Sequence, residues 1–150
     1  GRGLTVERVS VHGVSGEERY VFEMNAILEL RFQVVAAQWI GRPWFSVGIS
    51  DGRPGALVLC SMLEGHTGFD LPPGRHVIRC RVGPLPLGPR TYELWVSVRE
   101  SAGAADLVDW AQVGAIRVRL QESLSGPNGL TAPWLYGPVR VPHTWSLGDE

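Results

Sequence analysis

Two tryptophans on strand faces otherwise occupied by polar residues are the side chains of this sequence best placed to do chemistry. Across Thr91 to Arg99, Tyr92, Leu94, Val96 and Val98 point one way, and Thr91, Glu93, Trp95, Ser97 and Arg99 the other. Successive side chains of a strand take opposite faces of its sheet, so the first set reads as core and the second as an outward face carrying an indole. Trp44 to Ser50 repeats the pattern, with Phe45, Val47 and Ile49 inward and Trp44, Ser46, Gly48 and Ser50 outward. If the two strands pair antiparallel, Trp95, Trp44, Glu93, Ser97, Arg99 and Ser46 share one surface. An indole stacks on the apolar face of a sugar ring while carboxylate, hydroxyl and guanidinium groups take its hydroxyls, so these six residues form the candidate carbohydrate-binding site. The competing occupant of that face is protein, either the aromatic C-terminal tail or a partner subunit.

Catalysis has no comparable constellation. His12, His66, His76 and His143 are scattered without His-x-x-x-His spacing, and Cys60 and Cys80 form no Cys-x-x-Cys pair, so no metal site is expected. His66 and Asp70 share a glycine-rich loop that reads as solvated. Asp51, Glu64, Asp70 and Glu93 supply carboxyl groups, but nothing in the sequence sets two of them at the separation that glycoside hydrolysis requires. No Gly-x-Ser-x-Gly elbow is present, nor a Gly-x-x-x-x-Gly-Lys-Ser/Thr phosphate loop. The chain is therefore expected to be no enzyme and to carry no cofactor. Trp110, which follows Asp109, reads as a buried plug, whereas Trp39, Trp134, Trp145, Tyr136 and His143 read as packing at turns or in the tail.

The elements that must hold the tryptophan face are strands. Nineteen glycines and 11 prolines punctuate short apolar runs, which is the rhythm of an all-β domain. Strands are expected at Leu4 to Val11, Tyr20 to Phe22, Leu28 to Val34, Trp44 to Ser50, Ala56 to Met62, His76 to Val82 and Thr91 to Arg99, followed by Leu107 to Trp110 and Ala115 to Leu120. About eight strands at this spacing predict an immunoglobulin-like or jelly-roll antiparallel β-sandwich. It should occupy residues 1–120, with 121–150 as a C-terminal aromatic tail whose Val139, Val141 and Pro142 suit an edge or exchanged strand. Cys80 reads as a small buried thiol, and a disulfide to Cys60 requires their strands to be neighbours.

Only 19% of the residues are charged and the net charge is -1, so no field of one sign invites nucleic acid or an anionic membrane. All 14 basic residues are arginine. No run approaches the roughly 20 apolar residues that span a bilayer, and no signal-peptide pattern opens the chain, so a soluble cytoplasmic protein is expected. The Gly1-Arg2-Gly3 start, without methionine, reads as a piece excised from a larger parent or as a tag remnant.

Several of these features resemble, in order, the C-terminal domain of the ATP-binding subunit of polysaccharide ABC transporters, the Wzt-type exporters of O-antigen. The resemblance rests on Leu4-Thr5-Val6 with Val9, on Leu28-Glu29-Leu30-Arg31-Phe32, on Phe45-Ser46-Val47-Gly48-Ile49, and on Gly88-Pro89-Arg90-Thr91-Tyr92-Glu93-Leu94. Asp109-Trp110 with Ile116 and Val118 continues it, and the ending from Tyr136 to Trp145, with His143-Thr144-Trp145, is similar to the short ending of many members. It covers roughly residues 4 to 120. It implies a non-catalytic domain that recognises the finished glycan and gives the exporter its selectivity, often as a homodimer, formed in some members by exchanging a terminal strand. The partners so implied are the polysaccharide, a nucleotide-binding domain upstream of Gly1 and the membrane permease, with the domain at the cytoplasmic inner face of the membrane. The alternative is an immunoglobulin-like dimerisation domain of the ATPase that binds no sugar.

Overall fold

The computed structural model describes residues 3–62, 68–101, 105–119, 137–139 and 141–147. Eight strands run in order: β1 Leu4–His12, β2 Val21–Glu23, β3 Leu28–Ala36, β4 Trp44–Ser50, β5 Val58–Ser61, β6 Gly74–Val82, β7 Thr91–Arg99 and β8 Asp106–Arg119. They form a three-stranded sheet, β1-β3-β6, and a five-stranded sheet, β2-β8-β7-β4-β5. The expected all-β sandwich is what the chain folds into. Every pair is antiparallel except β2 with β8, which is parallel. Among the described residues no helix is long and apolar enough to cross a membrane.

Alternation decides which residues meet between the sheets. Leu28, Leu30, Phe32, Val34 and Ala36 of β3 are buried, and so are Phe45, Val47 and Ile49 of β4 and Tyr92, Leu94, Val96 and Val98 of β7. Phe32 and Phe45 meet edge to face between the two sheets at 5.5 Å. Strands β4 and β7 have the bounds that the alternation predicts. The two short segments expected after residue 106 are instead one strand, β8, whose pairing with β7 shifts register three times. Extra residues on one strand break the two-residue period, and a run whose faces change midway reads as two runs.

Cys60 and Cys80 are not joined in a disulfide. They lie on β5 and β6, edge strands of different sheets, and are not joined by a ladder. Burial pushes the Cys80 thiol up to about 11, and Cys60 adds to the shift.

The turn into β7 closes one end of the sandwich. Leu85 and Leu87 are buried there, and the Tyr92 hydroxyl donates back to the carbonyls of Gly88, at 2.7 Å, and Pro138, at 3.2 Å. A phenol bonded to the backbone a few residues upstream is the corner device of many β-sandwiches. Here it also fastens the tail, because the Gly88 amide donates to Pro138 at 3.1 Å and Leu87 bridges Val139. Residues 141–147 are exposed beyond that point. Trp134 and Tyr136, and the rest of the expected tail between 120 and 136, lie outside the described residues.

Burial raises the Tyr92 phenol from 10.0 to about 12, with Asp51 adding to the rise and Arg90 opposing it. A phenol whose folded pKa is raised favours folding below its unfolded pKa and loses that contribution as pH climbs through the folded one. Stability should therefore fall between pH 10 and about 12, by about 2–3 kcal/mol from this group. Urea unfolding across that window should show the fall in the wild type and a shallower one in Tyr92→Phe. At neutral pH the same substitution leaves the buried Gly88 carbonyl without its phenol donor, a loss of about 1–2 kcal/mol, and should lower Tm by about 2–8 °C.

Candidate functional site

The ladders place the outward residues of the five-stranded sheet in rows. Leu59, Gly48, Trp95 and Gln112 form one row across β5, β4, β7 and β8. Ser61, Ser46 and Ser97 form the next, Trp44 pairs with Arg99 and Asp106 beyond it, and Ser50 pairs with Glu93 and Ala115 on the other side. All six residues singled out in the sequence therefore belong to one sheet face, but they do not converge on one point. Trp44 lies four residues along β4 from Gly48, the partner of Trp95, which is about 13 Å at the rise of an antiparallel strand.

Trp95 and Glu93 line a cavity of about 620 Å³, with Gly48, Ser50, Leu59 and Trp110 among its other walls. Gly52, Arg53, Pro54, Gly55 and Ala56 close one side. The volume lies within the range of small-ligand sites. Ser46 and Ser97 are buried, and the Ser46 hydroxyl donates to the Ser61 hydroxyl at 3.1 Å. Arg99 is engaged with Asp106, Nε to Oδ1, at 3.1 Å. Trp44, Ser46, Ser97 and Arg99 are not among the cavity's lining residues, whereas Trp95 and Glu93 are.

Trp110 occupies a different place from the one its sequence context predicts. It is 46% exposed, not a buried plug, and forms a wall of the cavity. The β7–β8 ladder explains why: Val96 faces Ala111 and Val98 faces Val108, so Asp109 and Trp110 together stand opposite the single residue Ser97. The excess residue is a bulge, and bulges re-aim side chains. Gly48 provides the space beside it. A Cβ at position 48 would lie 3.4 Å from the Trp110 ring and 3.6 Å from the Ala56 Cβ, so the absent side chain lets the indole approach the sheet.

The loop wall is shaped by its own hydrogen bonds. The Ser50 hydroxyl donates to the Arg53 carbonyl at 3.1 Å and accepts from the Gly52 amide at 3.1 Å. The Asp51 carboxylate accepts from the Arg53 amide at 3.2 Å. Gly52 at φ 94° and Gly55 at φ 90° supply the left-handed turns that fold the loop back over the cavity. Arg53, whose side chain is 79% exposed, stands 3.7 Å from the almost buried Asp51 carboxylate. The described tail residues are not among the cavity's walls; residues 137–139 meet the turn before β7 instead.

The histidines find structural partners. His12 lies between the Ser10 hydroxyl, at 2.8 Å from Nε2, and the Gly16 carbonyl, at 3.0 Å from Nδ1. A carbonyl only accepts, so Nδ1 carries the proton and Nε2 accepts from Ser10. His76 faces the Pro72 carbonyl at 2.6 Å, and His143 the Val141 carbonyl at 2.9 Å. His66 and Glu64 lie outside the described residues. Among the described residues no three His, Cys, Asp or Glu side chains are grouped to hold a metal ion.

No family profile and no curated protein sequence matches the chain. Its fold is similar to solved structures. The C-terminal domain of wzt superposes with a TM-score of 0.73 at 12% identity, over 99% of this chain and 86% of that one. The alkylpurine DNA glycosylase AlkC of Pseudomonas fluorescens, bound to DNA containing an abasic site analog, gives a TM-score of 0.50 at 14% identity, over 79% of this chain and 31% of that one. At such identities the likeness is one of fold.

The arrangement offers two indoles and an aliphatic side chain across a shallow floor, with a carboxylate and a guanidinium beside them. A leucine at position 48 has to displace the Trp110 ring. Gly48→Leu should therefore shift tryptophan emission to the red and increase its quenching by acrylamide, while Tm changes by less than about 4 °C because the residue faces out of the core. An unchanged spectrum would mean that Trp110 does not lie over Gly48.

Proposed function

We propose that this domain is a non-catalytic glycan-recognition module that gives a polysaccharide exporter of the O-antigen type its substrate selectivity. The observation that carries the reading is the pairing of Trp95 and Trp110 around Gly48 in an outward cavity, with Glu93 and Arg53 on its walls. Two flat apolar surfaces flanked by hydrogen-bonding groups suit a neutral sugar, whose rings have apolar faces and hydroxylated rims. The fold likeness to the C-terminal domain of wzt supports the same reading, as do the residues by which the sequence resembles the Wzt-type family. Relative to the six residues singled out in the sequence, the proposed site keeps Trp95 and Glu93 and gains Trp110, Arg53, Ser50 and Leu59. In this proposal the domain works at the cytoplasmic inner face of the membrane, alongside a nucleotide-binding domain and a permease. It contacts no nucleic acid and needs no cofactor.

A second reading, dimerisation without sugar binding, is favoured by the tail. Trp145 is 92% exposed and Val141 70% exposed on a segment anchored only a few residues earlier. Apolar side chains so placed suit a second copy of the chain. The two readings differ in what reaches the indoles.

Titration calorimetry with the repeat-unit oligosaccharide discriminates between them. Trp95→Ala and Trp110→Ala should each weaken binding at least tenfold, equivalent to about 1.4 kcal/mol, while Trp44→Ala stays within twofold of wild type. Absence of heat with a panel of glycans, together with a change in Trp95 fluorescence when the protein is diluted through a dimer–monomer transition, would replace the first reading with the second.

A further inference from the structure

The outer face of the three-stranded sheet carries more positive charge than its ion pairs neutralise. The outward positions of β6 are Arg75, Val77, Arg79 and Arg81, and β3 places Val35, Gln33, Arg31 and Glu29 opposite them in that order. Arg31 therefore stands directly across from Arg79. Like charges at directly opposed positions disfavour a strand pair. Glu29 relieves one of them, its Oε2 lying 2.9 Å from Arg31 Nε, with both side chains only 26% exposed. The arginines at the margin are paired as well, Arg75 with Glu7 at 3.6 Å and Arg8 with Glu18. Among the described residues, no carboxylate lies within ion-pairing distance of Arg79 or Arg81.

A second feature lies at the same place. Gly13 and Gly16 of the β1–β2 turn, with Ile27, Glu29, Arg31 and Arg81, enclose a small concavity of about 100 Å³. A water molecule takes up about 30 Å³ of liquid, so the space suits one tetrahedral group and is far too small for an oligosaccharide. The charged groups lining it are two guanidiniums and one carboxylate, and Arg79, outside the lining, adds a third positive charge at the ladder position opposite Arg31. His12 pairs with Glu29 in the ladder, but both of its ring nitrogens are engaged by Ser10 and Gly16. The patch therefore carries a formal excess of two positive charges.

We propose that this face is an oxyanion site that takes a phosphate group between the β1–β2 turn and Arg81, with Arg31 and Arg79 completing the clamp. Guanidinium forks match the paired oxygens of phosphate and bind them bidentately. Arg31, already oriented by Glu29, presents its remaining N–H groups, while Arg79 and Arg81 form no ion pair among the described residues, the Glu29 carboxylate across from Arg81 being taken up by Arg31. The phosphate belongs either to a small soluble ester or to the headgroup of an anionic lipid, and the chemistry of the clamp is the same for both. The sandwich core separates this face from the Trp95 cavity, so the inference is independent of the proposed glycan site.

Two probes separate the sources. Inorganic phosphate is titrated into the labelled protein while the arginine Nε–Hε resonances are followed, and flotation is measured with phosphatidylcholine vesicles with and without phosphatidylglycerol. Saturable shifts confined to Arg31, Arg79 and Arg81 support a soluble phosphate ligand; flotation only with phosphatidylglycerol supports the headgroup. In either case Arg79→Gln/Arg81→Gln should weaken binding at least tenfold. Arg42→Gln/Arg117→Gln, which removes the same charge elsewhere, should leave it within twofold. The inference is overturned if neither probe binds, or if both double variants lose binding equally, since net charge alone would then account for it. Both pairs are exposed, and circular dichroism confirms that each variant folds.

Discussion

The pairing of Gly48 with Trp95 is the constraint on which the rest of the molecule depends. That one register sets Ile49 against Leu94 and Val47 against Val96 inside the sandwich, and all four are buried. It sets Ser50 against Glu93 outside. A slip of one residue would carry Phe45, Val47 and Ile49 of β4 to the outward face and turn Ser46 and Ser50 into the core. The hydrophobic effect fixes the register, and the outward cavity inherits its position from that choice. No interaction within the cavity has to hold the strands together, so its side chains are free to be selected for contact with something else.

The two sheets use their outer faces differently. The five-stranded sheet has a central pair, β4 and β7, flanked on both sides, and a side chain in the middle of a wide sheet gains walls from its neighbours. Trp95 has Gly48 on one side and Gln112 on the other, and the β8 bulge opposite Ser97 adds Trp110 to the walls of a concavity on that face. The three-stranded sheet has β6 as an edge strand, and its outward arginines discourage edge-to-edge pairing with another chain. That role accounts for charge on the edge strand but not for Arg31 lying opposite Arg79 on the central strand.

Much of the architecture is legible in the sequence because burial on one face leaves an alternating trace. The bounds of β4 and β7 follow from it, and Gly41-Arg42-Pro43 and Gly88-Pro89-Arg90 mark where they begin, but their antiparallel pairing is conditional until the ladder shows it. What is not legible is whatever breaks the two-residue period. The bulge at Asp109 and Trp110 hides both the continuity of β8 and the aim of the second indole, since a side chain after a bulge no longer obeys the parity of those before it. The burial of Ser46 and Ser97 is hidden for another reason: hydroxyl side chains look outward by type, and only the three-dimensional rows bring Ser61 beside Ser46. Gly48 gives no signal at all, because a glycine in a strand reads as a weakness until the ring that occupies its missing volume is known. The clearest sequence sign of the cavity is Asp51-Gly52-Arg53-Pro54-Gly55, which announces a turn but not what the turn covers.

A cavity assembled this way has consequences for binding. Four strands, β4, β5, β7 and β8, contribute to its walls, and the remaining side is a loop whose path is set by Ser50 and Asp51. Side chains mounted on strands lose little further freedom when a ligand arrives, and a loop already hydrogen-bonded to itself does not have to be ordered at that moment. For the glycan proposed as its ligand, flexible and heavily hydrated, the entropic cost of binding is dominated by the ligand. A preorganised receptor adds little to that cost. On the proposed reading discrimination falls to shape, because stacking on an indole accepts any ring with an apolar face, whereas a cavity lined by both Trp95 and Trp110 accepts only rings whose substituents clear both. The place of Trp110 in that cavity follows from Gly48 beneath its ring and from the Asp109–Trp110 bulge, two backbone features of adjoining strands on either side of β7.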